Sequence, residues 1–201
     1  VLGLVGCTKA EDKKKAPEIE SFYVSSGCYE PGKEEKAVYE GKTVEQWIED
    51  LKHSNPIVRV SASKALKKIG PESVPALIKA LNYKDSEVRR MAALILGSFG
   101  QKAEKVVPAL IKVLKDKDED VRKWAAISLG KIGPKAEKAV PALIEALKDK
   151  DEDVRIIAVD SLGEIGPKAK EAIPALTETL KDKNEKIRIA AQTALKKIQK
   201  K

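Results

Sequence analysis

The sequence predicts an all-α fold, a solenoid of five stacked helix pairs over residues 43–201, on three observations. Pro75, Pro108, Pro141 and Pro174 recur every 33 residues, and Arg89, Arg122, Arg155 and Arg188 keep the same period. Arg59 stands 30 residues before Arg89, because the turn at Pro71-Glu72-Ser73 is shorter than its later counterparts. Within each copy, two apolar stripes of helical spacing are separated by a short polar break. Such a chain folds by stacking its copies, each of which buries against the next a face it cannot bury alone.

The chain opens on an apolar run, Val1 to Gly6, that ends at Cys7. Leu4-Val5-Gly6-Cys7 resembles the lipobox of bacterial lipoproteins, and the only methionine is Met91, which fits a sequence that begins inside a signal peptide. The resemblance implies that residues 1–7 end that signal peptide, that Cys7 accepts lipid, and that the protein is displayed on the outer, periplasmic face of a bacterial membrane. Should that reading fail, the cytoplasm is the expected compartment. A disulfide between Cys7 and Cys28, the only two cysteines, is the competing use of Cys7 in an exported protein.

Residues 8–42 read as a flexible charged tether, with Glu11-Asp12-Lys13-Lys14-Lys15, the Ser25-Ser26-Gly27 run and Pro31-Gly32, and no helical period crosses them. Phe22-Tyr23-Val24 and Tyr29 either pack on the first repeat or do not. No run of 18 apolar residues occurs, so any membrane attachment runs through Cys7.

From Thr43 the repeats are expected at about 43–73, 74–106, 107–139, 140–172 and 173–201. In the fourth, Val140, Leu143, Ile144 and Leu147 mark the buried face of a first helix, with Pro141 in the first turn, where a missing N–H is harmless. Lys148-Asp149-Lys150 breaks the pattern. Asp151 then caps a second helix whose first turn holds Glu152 and Asp153, carboxylates at the positive end of the dipole. Val154, Ala158, Leu162 and Ile165 face inward, and Gly166-Pro167 ends the helix. The first repeat has polar substitutions suited to the end of a stack: Trp47 replaces a leucine, and Ser61, Lys64, Lys67 and Lys68 make its second helix more polar. Gln192, Thr193, Lys196 and Lys197 do the same in the last repeat, so the array reads as complete. Lys67 and Lys196 stand where inner copies have Gly97, Gly130 and Gly163, so these glycines are read as serving close helix packing.

Asp118-Glu119-Asp120-Val121-Arg122 with Leu129-Gly130-Lys131-Ile132-Gly133, repeated as Asp151 to Arg155 with Leu162 to Gly166, resembles the short bacterial HEAT repeat of the phycobilisome-lyase type. The resemblance covers Thr43 to Lys201 and implies a right-handed α-solenoid of HEAT-like helix pairs. The signatures of ankyrin and tetratricopeptide repeats are absent from every copy. The resemblance further implies that Arg59, Arg89, Arg122, Arg155 and Arg188 form a structural ladder between units, with Asp85, Asp118, Asp151 and Asn184 placed to accept it. A phosphate-binding row of arginines is the alternative.

Composition narrows the function classes. Residues 43–201 hold 32 basic and 23 acidic residues, a surface that suits anionic partners or simply keeps a repetitive protein soluble. His53 is the only histidine, so no His-His or His-Cys metal set and no Ser-His-Asp triad can be assembled, and no cofactor is expected. The clusters Asp116 to Asp120 and Asp149 to Asp153 are interrupted by lysines and lack the glycine of a calcium loop, so they read as helix starts.

The positions that vary between copies are where function is expected. Counting 100° per residue, the outward face of the second helices carries Val60, Leu94, Ile127, Ile156 and Ile189 among Arg90, Lys123 and Asp160, with Met91, Trp124 and Ile157 beside them. Leu94, Ile127 and Ile156 are expected to align in one row of a groove, with Trp124 near its centre. The favoured function is a monomeric, non-enzymatic scaffold that binds another protein along that groove. A polyanion or nucleic-acid binder is disfavoured because the groove is apolar and only Trp124 could stack on a base. A chromophore-handling protein akin to the lyases rests on family likeness alone.

Overall fold

The computed structural model describes residues 38–100 and 105–200, which lie in one compact unit beginning at Glu35. Cys7, Cys28 and the tether up to residue 37 lie outside the described residues.

The described chain starts with a short antiparallel hairpin, β1 (Val38–Tyr39) and β2 (Lys42–Thr43), in which Val38 pairs with Thr43 and Tyr39 with Lys42. Its two turn residues, Glu40 (φ 48°) and Gly41 (φ 75°), both take positive φ, as a tight turn matching the strand twist requires. The hairpin corrects the expectation of an all-helical 43–201 and of a tether reaching to residue 42. Its reason lies in Trp47, whose indole N–H donates to Tyr39 O at 3.0 Å while Lys42 lies 4.7 Å over the ring. Tyr39, Ser61, Lys64 and Ala65 share one cleft, so the hairpin lies against the flank of the first repeat's second helix.

Among the described residues, ten α-helices follow in five pairs. The first helices are α1 (Val44–Asp50), α3 (Val74–Ala80), α5 (Val107–Val113), α7 (Val140–Ala146) and α9 (Ile173–Thr179). The second helices are α2 (Pro56–Ile69), α4 (Ser86–Ser98), α6 (Glu119–Ile132), α8 (Glu152–Ile165) and α10 (Glu185–Gln199). Each starts where its sequence dictates. Thr43 and Gln46 form a capping box before α1, and the side chains of Asn55, Asp85, Asp118, Asp151 and Asn184 accept backbone N–H groups at the starts of α2, α4, α6, α8 and α10. Prolines occupy the first turn of α3, α5, α7 and α9. Gly133 and Gly166 end α6 and α8 at φ near +68° and +67° with ψ near −140°, a conformation open to little but glycine. Each leads through a proline into a 3-10 turn, Gly133–Ala139 or Gly166–Ala172, and the first repeat has the shorter Gly70–Ser73.

Leu, Ile, Val and Ala fill the layers between pairs, with Leu66, Leu77, Leu96, Leu110, Leu129, Leu143, Leu162 and Leu176 among the fully buried side chains. The second helices α4, α6, α8 and α10 stack closely because of three small contacts. A Cβ on Gly97 would lie 2.7 Å from the Cα of Ser128, one on Gly130 3.1 Å from the Cα of Ser161, and one on Gly163 3.1 Å from the Cα of Ala194. Ser128 Oγ donates to Ala93 O at 2.7 Å and Ser161 Oγ to Ala126 O at 2.8 Å, tying each helix to the one before. The glycines serve packing, as the sequence implied. At the far end Gln192 and Lys196 lie exposed on α10, where inner repeats bury Ala126 or Val159 and glycine.

Candidate functional site

The repeated arginines fold back over the turn of their own repeat. Nη1 of Arg59, Arg89, Arg122, Arg155 and Arg188 each donates to two backbone carbonyls five and six residues earlier, at 2.8 to 3.3 Å. Each guanidinium thereby satisfies carbonyls of the turn between the two helices, while the carbonyls that end the first helix accept from the turn's own N–H groups. Arg89 and Arg122 also reach the next repeat, gripping Asp116 at 2.8 and 2.8 Å and Asp149 at 2.7 and 2.8 Å with two parallel bonds each. This corrects the expected ladder. Its acceptors are Asp116 and Asp149, whereas Asp85, Asp118, Asp151 and Asn184 are occupied as helix caps. The shorter first repeat puts Arg59 within 3.3 Å of Glu87 instead, and among the described residues no ion pair joins Arg155 to Asp182. Burial pushes the Asp149 carboxyl up, but the Arg122 guanidinium and the Asp151 N–H outweigh it and hold the group below its ordinary value; Asp116 is held down in the same way by Arg89 and Asp118. Arg89 and Arg122 are buried, so neither is open to a phosphate.

The structure corrects the expected second-helix face at two points. Met91 is 7% exposed and belongs to the core. Leu94, Trp124, Ile156 and Ile157 are half-buried and rest against the core, whereas Ile127 is half-buried without joining it. Leu94 and Ile127 are in register, but the residue 33 beyond Ile127 is Asp160; Ile156 lies a helical turn earlier. The face therefore has two rows rather than one: Val60, Arg90, Lys123, Ile156 and Ile189, and beside it Lys64, Leu94, Ile127, Asp160 and Thr193. The first row is apolar and open at both ends, Val60 being 48% and Ile189 56% exposed.

Its two central cations are engaged within the chain. Arg90 pairs with Glu87 at 2.5 Å and lies 6.0 Å from the Trp124 ring centroid, while Lys123 pairs with Asp120 at 2.7 Å and approaches Asp153 at 3.6 Å. Each of the two cations thus has a carboxylate partner of its own. In the second row, Ile127, Lys131, Ile157, Asp160 and Glu164 line a cleft of about 440 Å³ between α6 and α8. Asp160 is exposed as a residue, yet the protein around its carboxyl pushes its titration up; Lys197 opposes that push and Glu164 adds to it. Sequence reasoning missed this cleft, because 33-residue register had to be applied to Asp160 rather than to Ile156.

No group of three or more His, Cys, Asp or Glu that could hold a metal ion occurs among the described residues. His53 Nδ1 accepts the Asn55 N–H at 3.0 Å in an exposed turn. No helix among the described residues is long and apolar enough to cross a membrane.

No curated protein matches the chain. Among solved structures, an engineered protein is 29% identical, with a TM-score of 0.56 over 77% of this chain and 78% of that one. The CpcE–CpcF complex of phycocyanin lyase from Nostoc sp. PCC7120 is 21% identical, with a TM-score of 0.67 over 75% of this chain and 96% of that one. A designed armadillo repeat protein in complex with the peptide (KR)4 is 21% identical, with a TM-score of 0.60 over 77% of this chain and 81% of that one. The model of the HEAT repeats matches residues 44–106, 100–155 and 140–201, which together span every helix pair described above. The chain belongs to the HEAT-repeat family.

Proposed function

We propose that the chain is a non-catalytic protein-binding scaffold whose partner lies along the face of the second helices. The observation that carries this reading is the pair of register rows: Val60 and Ile189 are exposed at the ends of one, and Ile127 stands off the core in the middle of the other. Scattered exposed apolar residues are ordinary on a soluble protein, but residues held in register by the stacking of repeats form a continuous surface. Trp124, steadied by Arg90, is the aromatic anchor beside Ile127. The engagement of Arg90 and Lys123 by neighbouring carboxylates favours a partner read by shape and apolar contact over a polyanion. The designed armadillo protein that holds a peptide is a case of the same architecture used in this way. A pull-down from a membrane extract with the full chain as bait tests the reading: partners retained by the wild type and lost with Ile127→Asp or Trp124→Ala support it, and an unchanged set of partners contradicts it.

We further propose that Cys7 carries lipid and tethers the array to the outer face of a bacterial membrane. Two or three acyl chains give stable anchoring where one is marginal. Mass spectrometry of the N-terminal peptide of the native protein decides the matter, since an unmodified peptide reading through Cys7 sinks the proposal.

A further inference from the structure

The first junction of the array is built unlike the later ones. Where α4, α6, α8 and α10 meet, glycine faces serine or alanine. At the junction of α2 with α4, register puts Lys67 in the place of the glycine and Ile95 in the place of the serine. Two large side chains cannot fit where even a Cβ on the glycine would come within 2.7 or 3.1 Å of the next helix, and α2 accordingly touches α4 much less extensively than α4 touches α6. The stack opens there. On one side of Lys67 lies a cleft of about 670 Å³ walled by Val74, Pro75, Phe99 and Val106, with Lys105 at its rim. On the other side lies one of about 510 Å³ between Tyr39 and α2, bordered by Ala65, Lys64 and Lys68.

The charges around these clefts differ from those of the second-helix rows. Lys64, Lys67 and Lys68 follow one another at helical spacing on one face of α2, and with Lys105 they are exposed and in no ion pair among the described residues. Glu40 is the one carboxylate lining either cleft among the described residues, so an excess of positive charge borders two apolar hollows.

We propose that this junction docks an acidic segment of a partner protein, with an apolar or aromatic side chain in the Val74–Phe99–Val106 cleft and carboxylates on Lys64, Lys67 and Lys68. Charge complementarity selects the carboxylates, and the apolar walls select a peptide over other polyanions. Each cleft is lined by a single aromatic, Tyr39 or Phe99, and not by the succession of rings on which a single strand of bases stacks. Hollows of this size suit individual side chains rather than a flat lipid surface. Apart from Lys64, which ends the row of Ile127, this surface shares no residue with the Trp124–Ile127 face, so Lys67→Glu/Lys68→Glu and Ile127→Asp test the two readings separately.

The test uses the full chain and a fluorescein-labelled synthetic peptide of about 12 residues, alternating glutamate with leucine and phenylalanine, followed by fluorescence anisotropy. Saturable binding is expected, weakened about 10-fold or more when the peptide glutamates become glutamine, when its phenylalanines become alanine, or in Lys67→Glu/Lys68→Glu. Lys64→Gln/Lys68→Gln serves as a milder second variant and is expected to fall between, while Lys170→Glu and Ile127→Asp bind as the wild type does. Absence of binding, equal binding by Lys67→Glu/Lys68→Glu with an unchanged melting curve, or preference for a uridine oligonucleotide or phosphatidylglycerol vesicles over the peptide overturns the proposal.

Discussion

Replacing Arg122 by alanine removes four hydrogen bonds: two charge-assisted ones to Asp149 at 2.7 and 2.8 Å, and two to Asp116 O and Lys117 O at 2.9 and 3.3 Å. The partners are 6% and 12% exposed, so the substitution strands a carboxylate in a partly dry site rather than releasing it to water. A loss of about 3 kcal/mol is expected, at the lower edge for a buried pair because Asp149 keeps the Asp151 N–H. For an array of this size that lowers the melting temperature by about 6–12 °C. Arg155→Ala provides the internal comparison, since it forfeits only two carbonyl bonds and is expected to lose about 1 kcal/mol. Urea titrations followed by circular dichroism measure both. The pair also has a pH signature. Asp149 is held below its unfolded value of 3.8, so its contribution is complete above that value and disappears as pH falls through the lower folded pKa. The gap between wild type and Arg122→Ala is therefore expected to be full at pH 7 and to shrink below about pH 4. Equal losses for Arg122→Ala and Arg155→Ala, or an unchanged melting temperature together with loss of an anionic ligand, would refute the structural role of the pair.

Gly97→Ala should destabilise even though alanine is the better helix former by about 1 kcal/mol, because its Cβ would lie 2.7 Å from the Ser128 Cα and overpacking of this kind commonly costs about 1–3 kcal/mol; Gly163→Ala, facing Ala194 Cβ at 3.2 Å, should be milder, and urea midpoints rank the two. Trp47→Phe removes the indole bond to Tyr39 O and is expected to cost about 1 kcal/mol, read most directly as faster hydrogen exchange in the Val38–Thr43 hairpin. Ile127→Asp should leave the melting temperature within a few degrees of wild type while weakening partner binding about 10-fold or more, because its side chain stands off the core; cooperative unfolding with normal binding by the folded fraction would place the binding surface elsewhere.

The sequence made the repeat legible because the residues that define it act locally. Asp118 and Asp151 cap helices from their own positions, Pro108 and Pro141 start them, and Gly133 and Gly166 stop them, so a single copy contains its own instructions. Contacts between copies were harder to assign. Asp116 and Asp118 recur at the same 33-residue interval as Asp149 and Asp151, so periodicity could not say which aspartate receives the arginine and which caps the helix. That choice follows from how far one turn lies from the next, a property of the stacked helices. Met91 illustrates the same limit, since on an isolated helix it borders the outward face, yet it is buried in the folded array. Ile156 was matched to Ile127 by chemistry rather than by register, which hid the cleft around Asp160. The hairpin escaped notice because two-residue strands carry no readable alternation, although Glu40-Gly41 is a turn signal.

Site-specific photocrosslinking in the native host tests most directly whether the second-helix face binds a protein. A benzophenone amino acid is placed in turn at Val60, Ile127 and Ile189 on that face, and at Lys112, Glu145 and Glu178 on the exposed sides of α5, α7 and α9. Defined adducts to one partner protein from the first three positions, with none from the other three, are the predicted result. The same adducts from Lys112, Glu145 and Glu178, with none from Val60, Ile127 and Ile189, would contradict it.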